Sequence, residues 1–179
     1  MTSTTASGLL PPEGLPVALF AQRAGVRGVE ALRKTYGNAF LVHHARPHTA
    51  PTGPMRTREL HSEDEHTGEV LFLIFAVRRQ EASAHTFVSV GRIPGNDVVL
   101  RDETVSKFHA FFRDTPAGLE LQDGRSRNGT FVDDQPVAPR GAGPGAAVAP
   151  GRVLRVGSVS CVLLDAQGVS DLVTRLVPR

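Results

Sequence analysis

The chain has 179 residues, 40% of them hydrophobic, enough for one domain with an extension and a substantial core. Its 20 basic residues stand against 18 acidic ones without a basic block, so the charge gives no support for a nucleic-acid partner. No apolar run approaches the roughly 18 residues that a membrane span needs, the longest being VLFLIFAV from Val70 to Val77.

The amino terminus, MTSTTASGLLPPEGLP, has neither the basic stretch nor the unbroken apolar stretch of a secretory signal, so none is expected. From Pro16 to Tyr36, Val26, Val29, Leu32 and Tyr36 recur at helical spacing and Gly37 follows as a stop, which predicts a helix over 16–36 that Gly25 and Gly28 weaken. AFLVHH then reads as a short strand, and residues 1–44 are expected to form an amino-terminal extension. Residues 45–68 mix proline, glycine, threonine and charge without any period, the pattern of a linker. Its histidines, with His43 and His44, match no zinc-ligand spacing, and HSEDEH is not the HExxH helix, so no metal is expected.

From Glu69 the chain turns to short apolar runs separated by turn signals: VLFLIFAV, TFVSV, VVL, HAFFR, LELQ, TFV, RVLRV and SVSCVLL. With no helical period between them they predict an antiparallel β-sandwich over 69–165, an all-β fold whose loops gather at the two ends. RGAGPGAAVAPG meets no phosphate-loop spacing and is expected to be a flexible hairpin connection. Cys161, the single cysteine, excludes an internal disulfide, and its apolar surroundings predict a buried thiol, in keeping with a reducing cytoplasm. Residues 166–179 read as a short helix or tail, with Ser170 as cap and Asp171 in the first turn.

Three loops carry the chemistry. VGRIPGNDVVL ends a strand with Gly91 and Arg92, VSKFHA sets Ser106 beside Lys107, and DGRSRNGTF offers Arg125, Ser126, Arg127 and Asn128 before Gly129. Arginine, serine, lysine and asparagine are donors that together suit a dianionic phosphate ester. A rival reading pairs Ser106 with His109 as nucleophile and base, but in an extended segment the two side chains point to opposite faces, and no G-x-S-x-G turn is present.

GR-x-x-x-ND-V-x-L, D-x-x-VSK-x-HA and S-x-NGTFV, in that order and spacing, resemble the forkhead-associated (FHA) domain over about Glu69 to Asp165. The resemblance implies a phosphothreonine-binding, non-catalytic sandwich of eleven strands that needs no cofactor. It implies that Arg92 and Ser106 bind phosphate, that Lys107 adds a donor, and that Asn128 holds the peptide main chain. His109, with Gly91, Ser126 and Gly129, is implied to build the loop scaffold. Arg127 stands where a small hydroxyl is usual and either adds a charged contact to the phosphopeptide or points to solvent, while DDQ replaces the usual Asn-Gly turn. Thr104 lies where the family reads the third residue after the phosphothreonine, and its short polar side chain sets no demand for an acidic residue there. The implied partner is a phosphothreonine protein downstream of a Ser/Thr kinase, or the linker itself phosphorylated at Thr49, Thr52 or Thr57; neither nucleic acid nor membrane is implied. The alternative is an assembly domain that keeps this scaffold and docks without phosphate.

Overall fold

The structure, a computed structural model, describes residues 10–24, 28–45, 71–81, 83 and 85–177. Two sheets face each other. In chain order the elements are β1 (Leu15–Pro16), α1 (Val17–Ala24), α2 (Val29–Tyr36), β2 (Phe40–Ala45), β3 (Leu71–Ala76), β4 (Val88–Gly91), β5 (Val98–Val99) and β6 (Ala110–Thr115). They continue with β7 (Gly118–Asp123), β8 (Thr130–Val132), β9 (Gln135–Pro136), β10 (Ala146–Ala147), β11 (Val153–Val156), β12 (Val159–Leu164) and α3 (Ala166–Leu176). The larger sheet has the order β1-β3-β2-β12-β11-β8-β9 and the smaller β10-β7-β6-β4-β5, antiparallel throughout except for the β4–β5 pair.

Alternation decides which side chains face inward. Along β12, Val159, Cys161 and Leu163 are buried while Ser160 and Val162 are exposed. Those residues join Leu41, Phe75, Leu154 and Val156 of the larger sheet and Val90, Val98, Ala110, Phe112 and Leu121 of the smaller in one core. Complete burial pushes the Cys161 thiol up to about 12, so it is a packed thiol and not a nucleophile. On the outer face of the larger sheet, Phe40, Val42 and Ile74 pack under Phe20, Leu32, Tyr36, Ala166 and Val169, making the three helices a third layer.

Several expectations need correction. The helix over 16–36 is two helices: Leu15–Pro16 is a strand, and α2 starts after Gly28, whose extended ψ of 166° departs from the helix. The sandwich does not begin at Glu69, because β2 lies between β3 and β12 and β1 forms the sheet edge. Residues 15–24 and 28–45 are therefore built into the fold. The cap of α3 is Asp165 and not Ser170; β12 ends at Leu164, and the extended Asp165 accepts the Gly168 N–H at 2.8 Å. The glycine-rich connection carries β10, which pairs with β7, so it is more than a flexible link. The turn at DDQ takes Asp133 and Asp134 to φ of 46° and 63°, left-handed at both positions, the geometry that asparagine and glycine supply elsewhere. Residues 46–70, with Thr49, Thr52, Thr57 and most of the expected linker, lie outside the described residues.

Register fixes which loops share an end. Cys161 pairs with His43 and Leu164 with Phe40, so Ala45 and its partner Leu71 lie toward the Gly157–Ser158 turn. That turn meets Gly129 and Thr104, because Gly157 N–H reaches the Gly129 carbonyl and Ser158 N–H reaches the Thr104 hydroxyl. Residues 46–70 thus connect two adjacent strands at the end where the three donor loops gather.

Candidate functional site

The site is held by buried polar residues that bond to main chain. At the end of β4, a side chain in place of Gly91 would collide with the Lys107 carbonyl oxygen and come within 2.7 Å of Asn96 Nδ2. Asn96, 7% exposed, uses that nitrogen to donate to the carbonyls of Ile93 and Lys107, each at 2.8 Å, and so ties the Arg92 loop to the Lys107 loop. Asp123 organises the third loop. Its Oδ1 accepts the N–H groups of Arg125 and Ser126, and its Oδ2 accepts the hydroxyls of Ser126 and Thr130 at 2.6 Å each. Burial alone would raise the pKa of this carboxyl, but those hydroxyl and N–H donors favour its charged form and hold it below the ordinary value. Ser126 then accepts the Gly129 N–H at 2.9 Å, and Gly129 itself sits at φ +77°, where a side chain is strained.

His109 closes the scaffold. Fully buried, it accepts the Ser106 N–H at Nδ1 (2.9 Å), which leaves the proton on Nε2 to donate to the Gly129 carbonyl at 3.0 Å. Burial drives its pKa below the usual imidazole value, against the opposing pull of the Gly129 carbonyl and the Asp123 charge. Residues 105–108 are an irregular turn, not the extended segment that would send the Ser106 and His109 side chains to opposite faces. Both ring nitrogens are committed to main chain, and the Ser106 hydroxyl accepts the Arg127 N–H at 3.1 Å, so no base is available to it.

On this frame stand the donors. Arg92 is exposed; its Nε donates to the Val105 carbonyl at 3.1 Å and its N–H to the Ser106 carbonyl at 3.0 Å, which fixes the guanidinium root beside Ser106. Lys107 and Arg127 are exposed and make no ion pair among the described residues. Asn128 reaches across with Nδ2 to the Thr104 carbonyl at 2.6 Å, leaving Oδ1 without a partner among the described residues. Thr104 is half-buried and bonded to its neighbours. Its N–H donates to Asp102 Oδ1 and its hydroxyl is engaged by Asp102 and Ser158, so it ties these loops together at the site. Those same hydroxyl and N–H bonds from Thr104 keep the Asp102 carboxyl below the ordinary range.

The structure therefore brings Arg92, Ser106, Lys107, Arg127 and Asn128 to one end of the sandwich, with Gly91, His109, Ser126 and Gly129 beneath them. Sequence reasoning matched Asn96 and Asp102 as motif positions without giving them a role, and passed over Asp123. The signal for Asp123 was available: an aspartate two and three residues before Arg125 and Ser126 is the spacing at which a carboxylate accepts main-chain N–H groups in a turn. Asp133, in the DDQ turn, is paired with Arg152 and accepts the Val153 N–H. Among the described residues no histidine, cysteine and carboxylate group could hold a metal ion, and no helix is long and apolar enough to cross a membrane.

Residues 88–157 match the FHA domain family. The glycogen accumulation regulator GarA of Mycolicibacterium smegmatis is 37% identical over 83 residues, covering 46% of this chain and 49% of that protein. An ABC transporter ATP-binding/permease protein of Mycobacterium tuberculosis is 36% identical over 78 residues, 44% of this chain and 8% of the transporter. The matched segment spans less than half the length of these relatives. Among solved structures, the FHA-2 domain of a Mycobacterium tuberculosis ABC transporter aligns with a TM-score of 0.39 at 25% identity, covering 66% of this chain and 95% of that one.

Proposed function

This chain carries an FHA domain at residues 88–157, and on that premise we propose that it is a non-catalytic module that binds threonine-phosphorylated proteins. The observation behind this reading is the convergence of donors from three loops on one rigid frame. In the proposed complex Arg92 and Ser106 take the phosphate oxygens, and Lys107 and Arg127 supply further positive charge. Asn128, anchored to Thr104 through Nδ2, accepts a peptide N–H at Oδ1. Arg92 is suited to its task because its Nε is already spent on the Val105 carbonyl, so its terminal nitrogens are pre-oriented and little side-chain entropy is lost on binding. The partner is a phosphothreonine protein, a Ser/Thr kinase acts upstream, and no cofactor takes part. The chain's own threonines at positions 49, 52 and 57 are candidate ligands as well.

Phosphate should dominate the affinity. Hydrogen bonds to charged groups contribute about 1.5–3 kcal/mol each, so losing several costs at least about 3 kcal/mol, more than a hundredfold in binding. Titration of matched phosphothreonine and threonine peptides tests the reading. Affinities within threefold of each other would overturn it in favour of phosphate-independent assembly.

A further inference from the structure

The positive charge on the loops of the site exceeds what one phosphate neutralises. Beyond Arg92, Lys107 and Arg127, the loop after β7 carries Arg125, and the connection after β9 brings Arg140 beside it. Arg140 N–H donates to the Asp123 carbonyl, and Arg125 Nε donates to the Arg140 carbonyl at 3.1 Å. Arg125 and Arg140 are both exposed, and none of the five cations makes an ion pair among the described residues. The nearby carboxylate of Asp123 is buried and fully taken up by hydroxyls and main-chain N–H groups, so it pairs with none of their guanidinium groups. A phosphothreonine brings about two negative charges. Where Asn128 is anchored to Thr104, the neighbouring cleft is lined by Asp102 and Glu103 together with His43, His44 and the Glu13–Arg101 pair.

Building on the phosphothreonine reading, we infer that Arg125 and Arg140 form a second anion subsite that takes acidic side chains on one flank of the phosphothreonine, and that the other flank does not. The ligand class is thus a phosphothreonine peptide with an asymmetric acidic flank. Exposed charge pairs are modest and salt-screened, so the subsite tunes partner choice and leaves the main affinity to the phosphate. The chain's own threonines differ on this measure. Thr57 is flanked by Arg56 and Arg58, whereas Thr67 follows Glu63, Asp64 and Glu65.

The test uses the full chain and a set of synthetic phosphothreonine peptides: alanine on both flanks, two aspartates on one flank, two aspartates on the other, and an unphosphorylated acidic control. Aspartates on one flank should tighten binding about tenfold at low ionic strength, the gain shrinking toward twofold in high salt. On the other flank they should give no gain. R125Q/R140Q should abolish that preference while binding the alanine-flanked peptide as before; R140Q alone, which leaves the loop's main-chain bonds in place, should halve the preference on a logarithmic scale. Binding of the alanine-flanked phosphopeptide with no flank preference overturns this inference and leaves the phosphothreonine reading standing. A preference that survives R125Q/R140Q also overturns it. Failure of every phosphopeptide, or equal binding of the unphosphorylated control, overturns the phosphothreonine reading itself.

Discussion

Arg92 and His109 illustrate how two residues of one motif set fail in different ways. Arg92→Ala removes an exposed guanidinium whose only side-chain bond among the described residues is to the Val105 carbonyl; exposed substitutions seldom move stability by more than about 0.5 kcal/mol, so phosphopeptide binding should collapse while the melting temperature barely shifts. His109→Ala leaves a buried N–H of Ser106 and a carbonyl of Gly129 without partners and opens a cavity. It should cost about 2–4 kcal/mol of stability, read as a lower denaturation midpoint. An unchanged midpoint would show that the ring is not the link between these loops. Their pH behaviour follows from the same contacts. The folded pKa of His109 lies below its ordinary 6.5, so an unfolded chain binds a proton there before the folded one does, and stability should fall as pH drops below about 6.5. Asp123 and Asp102, both held below their ordinary 3.8, add a second loss on further acidification, because their contribution is complete above the unfolded value and disappears as pH passes down through the folded one. Urea titrations from pH 8 to pH 3 should therefore show two stages of decline, and His109→Gln should remove the first.

At the scale of elements, the strands and their inward faces were legible because alternation states them directly: Val159, Cys161 and Leu163 can face only one way once the strand is recognised. The strand at AFLVHH was legible too, but its place was not. Nothing in a local pattern says that Phe40–Ala45 crosses to lie between Leu71–Ala76 and Val159–Leu164, since pairing is decided by burial of distant partners such as Phe75 and Leu163. The site shows the same division. Its donors were visible as motifs, whereas Asn96 and Asp123 matter through main-chain groups that only the folded loops bring within reach. The misplaced boundary has an experimental consequence. A chain starting at Gly68 would leave β3 and β12 with no strand between them and expose Ile74, Ala166 and Val169, buried now beneath α1, α2 and β2. Such a fragment should fail to give a cooperative melting transition; a transition matching that of the full chain would show that residues 10–45 are dispensable to the sandwich. Within the retained chain, Asp165→Ala should cost about 0.5–2 kcal/mol through loss of the α3 cap, and Ser170→Ala much less.

For the molecule as a whole, the placement of residues 46–70 makes the question of a self-ligand concrete. The paired residues Ala45 and Leu71 hold both ends of this segment at the site's end of the sandwich, so it is tethered twice, and a single tether of such length already sets an effective concentration around the millimolar range. Thr57 lies twelve residues from Ala45 and fourteen from Leu71, and at about 3.3–3.6 Å per extended residue either arm crosses the end of a small sandwich. Thr49 has only four residues of reach from Ala45. Thr57 is therefore the best placed of Thr49, Thr52 and Thr57 to occupy the site of its own chain, although Arg56 and Arg58 give it a poor flank for the anion subsite; the tether compensates for weak intrinsic affinity. Phosphothreonine installed at position 57 of the full chain should weaken binding of an added phosphothreonine peptide at least tenfold, or convert the monomer to a dimer as the segment engages a second copy. The same modification at position 49 should do neither in cis. R92A in the modified chain should abolish any dimer, which separates site occupancy from a general effect of charge. Competing-peptide titration together with sedimentation at several protein concentrations decides the matter: unchanged affinity and a monomer at every concentration, with phosphothreonine at position 57, would rule out both the intramolecular ligand and the bridged dimer.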